Sequence, residues 1–465
     1  MLRNRYDRTD LFALVPQLGL RFEPQLEQLD RLLDDDELLE RVREDLAHRY
    51  PRTTSRGRPS TPVEVILRML VVMRLYGWSY EQCEYFVNDS LVLRQFCRAY
   101  LEKVPDDTVL IRWANTIGPE TVRALNDRVV QLARSLEVTR GRKLRVDTTA
   151  VETNIHFPTD SGLLGDGVRV VSRLLRRAKA VLGEAASGLG EAFRSRVRTI
   201  RKIAQQLHRL ARRKGEQGRT AMKAAYTRLI ATVKRTAAQG RRVLEAIRER
   251  ADSPKARRLG ERLAEILPRL KQGIRQAQRR VLEDDPVPAG EKVLSLFEPH
   301  TQVVPRFKAG KRVEFGRKIR LDEVEGGIIT GYAVLEQAGG QDQPHLGDAL
   351  ANHKHQFGRV PALLAADRGM ASAANERLAK GAGVRCVALP HVGKPPPERV
   401  AEECGWRFKR GYRFRAGIEG RIHVLRRDYG LKRCRYRGER GMGRWVGWGI
   451  VTHNLSQVAR AGAIR

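Results

Sequence analysis

Three acidic residues stand where phosphate chemistry would need them: Asp147, Asp367 and Glu419. Residues 142–150 (Arg-Lys-Leu-Arg-Val-Asp-Thr-Thr-Ala) alternate and favour β-branched types, which predicts a strand with Asp147 near its end. The apolar run Val360–Ala366 predicts a buried strand ending on Asp367, the position where an α/β sheet presents its ligands. Glu419 lies in Tyr412-Arg413-Phe414-Arg415-Ala416-Gly417-Ile418-Glu419-Gly420-Arg421. If that stretch is helical, Tyr412, Arg415, Glu419 and Arg426 fall within a sector of roughly 60°. One face then carries an acid, two guanidiniums and a phenol. Cleaving a phosphodiester without a protein nucleophile requires an activated water or 3′-hydroxyl and a stabilised leaving oxyanion, which two Mg²⁺ ions about 4 Å apart can supply. Mg²⁺ takes hard oxygen ligands and keeps several waters, so three carboxylates suffice when a phosphate completes the shell. A single Asp at a strand end is more often a turn or cap residue. Three such acids in a chain of net charge +34 point to metal-assisted chemistry on a polyanion.

Four sections position these residues. Residues 1–135 read as a helical N-terminal domain suited to DNA binding or dimerisation. Within it, Asp30–Ala47 alternates apolar and acidic residues at helical spacing, and further helices are expected over Ser79–Phe86 and Asp107–Trp113. Another is expected to open at Thr61-Pro62-Val63-Glu64, with Thr61 as N-cap, Pro62 first in the helix and Glu64 closing a capping box. Just before it, Arg56-Gly57-Arg58-Pro59 resembles arms that insert Arg into a narrow minor groove, which makes Arg56 and Arg58 candidate DNA contacts. A basic linker ahead of a helix accounts for the same four residues and is favoured.

The first part of the catalytic domain is expected over 140–160 and its remainder over 295–455. Between them, 165–285 reads as a helical insertion of about four helices, broken near Gly215, Gly218 and Ser253-Pro254. From Val168 to Leu282 there are 32 Lys+Arg and 8 Asp+Glu, a net +24 of the chain's +34. A solvated charged face mixes signs evenly and this one is strongly one-sided; the expectation is that it lies on DNA phosphates, with mediation of protein contacts as the alternative. After a linker at 283–290, Gly316–Leu321 and Ile328–Leu335 read as a hairpin around Gly326-Gly327. A helix beginning at Asn375–Lys380 and a strand at Val384–Leu389 follow. Trp445 and Trp448 are expected to be core residues. The fold class is therefore α+β and multidomain.

Composition removes several other classes. No run reaches the ~18 apolar residues of a membrane span, and Val63–Leu75 is interrupted by Glu64, Arg68 and Arg74. No apolar stretch follows the charged N-terminus, so no signal peptide is read and a cytoplasmic, nucleoid-associated protein is expected. The five cysteines are scattered and odd in number, without a Cys-x-x-Cys pair, against both a disulfide framework and a zinc ribbon. Cys404, Cys434, His391 and His423 assemble into a metal site only on paper, because no ligand-pair spacing supports it.

Tyr412-x2-Arg415-x3-Glu419-x6-Arg426 resembles the Tyr-Arg-Glu-Lys signature of bacterial insertion-sequence DDE transposases, with Arg426 replacing the usual Lys. Val146–Ile155 is similar to the first-Asp motif of that family, Ala366–Met370 to the second, Arg58–Arg112 to the N-terminal helical domain, and Thr452-His453-Asn454-Leu455 to the C-terminus. The resemblance implies a ribonuclease H-like domain, interrupted by the basic insertion, in which Asp147, Asp367 and Glu419 hold two Mg²⁺ ions, with Mn²⁺ able to substitute. It implies that Tyr412, Arg415 and Arg426 grip phosphates near the element's end, with Arg426 keeping the charge but presenting a fork. Double-stranded DNA is then the partner, both element ends and target. Joining two ends implies at least a homodimer on DNA. Some relatives carry a Trp after the second Asp that stacks on a flipped base, and Met370–Glu376 contains none. The two aspartates stand 220 positions apart and the insertion lies between them, unlike relatives that carry it before the Glu. A transposase-derived DNA-binding protein without catalysis is the alternative.

Overall fold

The computed structural model describes residues 1–6, 22–48, 52–186, 188–250, 253–305, 313–336 and 342–464. Contacts divide the chain into two units, Met1–Asn154 with Arg317–Arg465, and Ile155–Gly316.

The first unit opens with α1 (Pro24–Leu32), α2 (Asp36–Ala47), α3 (Val63–Leu75), α4 (Tyr80–Asp89), α5 (Leu91–Phe96), α6 (Asp107–Thr116) and α7 (Pro119–Ser135). Helix α3 is its axis, with every residue from Val63 to Arg74 buried. Two of the charges that interrupt its apolar run pair with each other inside: Arg68 reaches Glu64 at 3.1 Å, as well as Asp30 at 2.8 Å and Asp34 at 2.7 Å. Arg74 lies over the Trp445 ring, 3.4 Å from its centroid. Thr61 does not cap α3. The helix starts one residue later with Pro62 as N-cap. The Val63 and Glu64 amides instead donate to the carbonyls of Arg3 and Asn4 at 3.1 Å each. Glu64 is thereby freed for its buried pairs with Arg68 and Arg5.

Strand β1 (Lys143–Glu152) follows. Asp147 is in its middle rather than near its end. Glu152 at the far end is held by backbone bonds, donating to Lys432 O (3.1 Å) and accepting from Cys434 N (2.7 Å), so the strand runs five residues past the aspartate.

The second unit contains α8 (Asp160–Leu182), α9 (Val197–Leu210), α10 (Glu216–Arg250) and α11 (Pro254–Ala277). Their apolar stripes share one core, with Leu164 and Val171 of α8, Ile203 and Leu207 of α9, Val233 of α10 and Leu263 of α11 among its buried members. Helical period places the cations on the opposite faces. In the same unit β2 (Gln302–Pro305) pairs antiparallel with the opening residues of β3 (Val313–Val324).

Strand β3 continues into the first unit, which adds β4 (Ile329–Val334), α12 (His345–Phe357), β5 (Leu363–Ala366), α13 (Ala373–Gly381), β6 (Cys386–Ala388), α14 (Pro397–Cys404), α15 (Trp406–Asp428) and α16 (Gly438–Ile464). The turn into β4 holds Gly326 and Gly327 at φ +82° and +76°, a backbone conformation that side chains disfavour. The sheet is mixed and ordered β4-β3-β1-β5-β6; β4 is antiparallel to β3, while β5 runs parallel to β1 and β6 to β5. Helix α16 ties the helical region to this sheet. Asn454 accepts from the Ile329 amide (2.9 Å) and donates to the Ile329 carbonyl (2.7 Å) and to Asn126 on α7 (2.8 Å). Trp445 and Trp448 are buried in the same helix. The architecture is thus α+β, a helical N-terminal region joined to a mixed sheet with helices. None of the described helices is long and apolar enough to cross a membrane.

Candidate active site

Parallel pairing of β1 and β5 sets Val146 opposite Ala366, so Asp147 within β1 and Asp367 just past the end of β5 are the next residues on each chain segment. Parallel strands lie about 4.8 Å apart, and two carboxylates are therefore presented side by side. Helix α15 lies against β1, β5 and β6. Its buried positions are Phe408, Gly411, Ile418 and Leu425, a stripe at helical spacing. Gly411 is needed there, because a side chain would run into Ala388 of β6, 2.7 Å from where its Cβ would stand. Tyr412, Glu419 and Arg426 each follow a stripe residue by one position, which turns them about 100° from the buried face. That rotation brings Glu419 to the two aspartates.

One guanidinium joins all three acids. Arg415 approaches Asp147 at 3.2 Å, Asp367 at 3.3 Å and Glu419 at 3.1 Å. The acids are graded from interior to rim, with side chains 10%, 47% and 67% exposed in that order. Burial pushes the Asp147 carboxyl up from 3.8 to about 6; Arg415 and the Thr148 amide oppose the shift, while Asp367 and Glu419 add to it. Three acids sharing one monovalent cation leave the cluster short of positive charge. Hard oxygen donors in that condition fit a divalent ion of the Mg²⁺ class. Among the described residues no group of His, Cys, Asp and Glu is already arranged as a ligand set; the carboxylates surround the guanidinium instead.

The other expected site residues fare differently. Tyr412 is exposed and stacks on Phe408, ring centroids 6.3 Å apart. Arg426 is turned inward, its guanidinium donating to the Ala150 carbonyl of β1 at 2.6 Å. Arg56 and Arg58 are exposed in the turn before α3, and neither is among the ion pairs that define the carboxylate cluster. The α-amino group of Met1 donates to the Arg58 carbonyl at 2.6 Å.

Reading the sequence missed the brace behind the acids. Glu323 of β3 is fully buried and pairs with Arg145 of β1 (2.6 Å) and Arg421 of α15 (3.1 Å). Arg145 also donates to the Phe414 carbonyl at 2.6 Å, and Arg421 contacts His453 at 3.0 Å. One carboxylate thus fixes the strand of Asp147 against the helix of Glu419. A charged residue inside a β-pattern was the available signal, since a buried charge must be paired. Asp342 was missed as well. It accepts from Thr148 Oγ1 at 3.2 Å, is paired with Lys318 at 2.5 Å, and lies against Gly369. Nothing in its local sequence distinguishes it.

Two family models match the chain: "Transposase domain (DUF772)" over residues 19–116 and "Transposase DDE domain" over residues 302–455. The second spans Asp367 and Glu419, and Asp147 lies outside both. No curated protein and no solved structure matches. Two transposase domains in order, on an α+β fold that gathers three carboxylates, establish that the chain belongs to the DDE transposases of insertion sequences.

Proposed function

We propose that this transposase cuts DNA at the ends of its element and joins the freed 3′-hydroxyl to a target in a metal-dependent reaction centred on Asp147, Asp367 and Glu419. The observation that carries the reading is the convergence of these three carboxylates on one guanidinium at 3.1 to 3.3 Å. The strand order β4-β3-β1-β5-β6, with parallel pairing from β1 to β6, supports a ribonuclease H-like catalytic domain. On this reading the three acids hold two Mg²⁺ ions, or Mn²⁺ in their place. When bound, such ions activate the attacking oxygen and stabilise the leaving one.

The remaining roles belong to the chain's own groups. Asp147, the most enclosed acid, presents its carboxylate from a strand that Glu323 fixes. Glu419 and Asp367 lie nearer solvent, on the side from which a phosphate arrives. Arg415 balances the acids in the free protein, and its planar fork suits a phosphate as well as a carboxylate, so it is placed to grip the strand being cut. Tyr412, one turn before it and exposed, offers a hydroxyl and a ring to the same strand. Arg426 meets DNA only by exchanging its bond to Ala150; otherwise it braces α15 on β1. Arg56 and Arg58, exposed before α3, are proposed minor-groove contacts. Recombination at two ends calls for a homodimer or larger assembly on double-stranded DNA, within the cytoplasm at the nucleoid.

A non-catalytic DNA-binding descendant is less well supported, because all three acids remain in place around a cation. The test is cleavage of duplexes carrying the sequences that flank the gene. Mg²⁺ should give breaks confined to the element's ends and EDTA none. Stable binding without breaks at any Mg²⁺ or Mn²⁺ concentration would overturn the catalytic reading.

A further inference from the structure

The second unit contains one helix unlike its neighbours. Between Glu191 and Glu216 the chain has nine Lys+Arg and no acidic residue, and α9 occupies most of that span. Helices α10 and α11 carry glutamates among their cations; α9 carries none. Its apolar residues Ile200, Ile203, Leu207 and Leu210 are all buried in the unit's core. Arg198, Arg201, Lys202 and Arg209 are exposed. Their spacing of three, four and eleven places them in one stripe with Gln205. Among the described residues none of the four is paired with a carboxylate, whereas Arg169, Arg194, Arg269, Arg279 and Arg280 of the same unit are.

We infer that the outer face of α9 is a docking surface for the phosphate backbone of double-stranded DNA, bound without regard to sequence. Four unpaired cations over about 16 Å repel one another unless an anion faces them. A duplex presents roughly ten phosphates over that length. A bilayer surface fits less well, because α9 has no apolar face left to insert. Single strands fit less well too, since the stripe has no aromatic ring on which bases could stack. The choice of DNA among duplexes rests on the proposed transposase function; the phosphate chemistry rests on α9 alone.

The experiment is equilibrium binding of the full chain to a random-sequence DNA duplex across a salt series, in EDTA so that no cutting intervenes. The variant is Arg198→Gln, Arg201→Gln, Lys202→Gln and Arg209→Gln combined. A comparison variant removes four exposed cations from α11, Lys255→Gln, Arg258→Gln, Arg262→Gln and Lys271→Gln. The α9 variant should keep the wild-type circular dichroism spectrum, bind at least tenfold more weakly, and flatten the log-log salt slope by about three to four. The α11 variant should change the slope by less than half as much. Equal changes in the two variants, or an unchanged slope in the α9 variant, would overturn the proposal. So would tighter binding of the wild type to an RNA duplex or to anionic vesicles than to DNA. Because binding is read without metal, loss of end cleavage in a separate assay bears on the catalytic reading and leaves this result standing.

Discussion

Arg415 Nη2 lies 3.2 Å from Asp147 Oδ2, on a contact that joins the most buried acid of the cluster to the helix carrying Glu419. Both side chains are about one-tenth exposed, so little solvent screens the pair. The guanidinium is the only cation the three carboxylates share among the described residues, and it makes them tolerable as neighbours in the free protein.

Replacing Arg415 by Gln should therefore destabilise the metal-free protein by about 2 kcal/mol, below the full cost of breaking a buried pair because Asp367 and Glu419 are partly solvated. The same change should enlarge the rise in melting temperature on adding Mg²⁺, since the acids then lack an internal counter-charge. Urea titration in EDTA and thermal melts with Mg²⁺ read the two effects. An unchanged urea midpoint would contradict the role.

The Asp147 carboxyl gives a pH signature. Its pKa is raised in the fold from 3.8 to about 6, chiefly by burial. The folded protein then keeps a proton that the unfolded chain releases, and stability falls as pH rises across that window. Asp147→Asn removes the effect, so the metal-free variant should gain on the wild type from pH 4 to pH 6 and hold that gain above it. Buried His353 and His453, lowered to about 4 and about 3, act in the opposite sense, costing stability as pH falls below 6.5, but equally in both proteins. Parallel stability curves would refute the assignment.

Glu323 tests the brace. Glu323→Gln leaves Arg145 and Arg421 facing a neutral group in a site with no solvent access to the carboxylate. A loss of about 3 kcal/mol in stability is expected, with end cleavage reduced at least tenfold and the affinity for DNA nearly unchanged. Unaltered cleavage in a folded Glu323→Gln protein would show that the brace does not position the acids.

Two glycines of α15 should behave in opposite ways. A Cβ at Gly417 collides with the Arg145 guanidinium, whereas Gly420 has open space around it. Gly420→Ala should stabilise by about 1 kcal/mol through helix propensity. Gly417→Ala should destabilise and reduce cleavage, because Arg145 must leave either Phe414 or Glu323. Thermal melts of the two variants decide it; equal shifts would contradict the close approach.

These outcomes also mark what was legible in the sequence. Alternation around Asp147, the apolar run before Asp367 and the face around Glu419 are local patterns, and each led to the right element. What failed depends on partners far along the chain. Thr61 lost its capping role because the carbonyls of Arg3 and Asn4 fill it. Strand β1 outran its expected end because Lys432 and Cys434 extend its bonding. Arg426 shares a helical face with Glu419, yet its length lets it fold back to Ala150. Glu323 and Asp342 gain their roles only when β3 and the turn before α12 arrive beside β1, a meeting no local pattern encodes.

The most direct test of the account compares Asp147→Asn, Asp367→Asn and Glu419→Gln with the wild type on duplexes carrying the element's ends, in Mg²⁺, with binding measured in parallel. Each variant should bind these duplexes within about threefold of the wild type and cut them at least a thousandfold more slowly, a loss of about 4 kcal/mol in transition-state stabilisation. Undiminished cleavage by any one of the three folded variants would contradict a single site built from all three carboxylates.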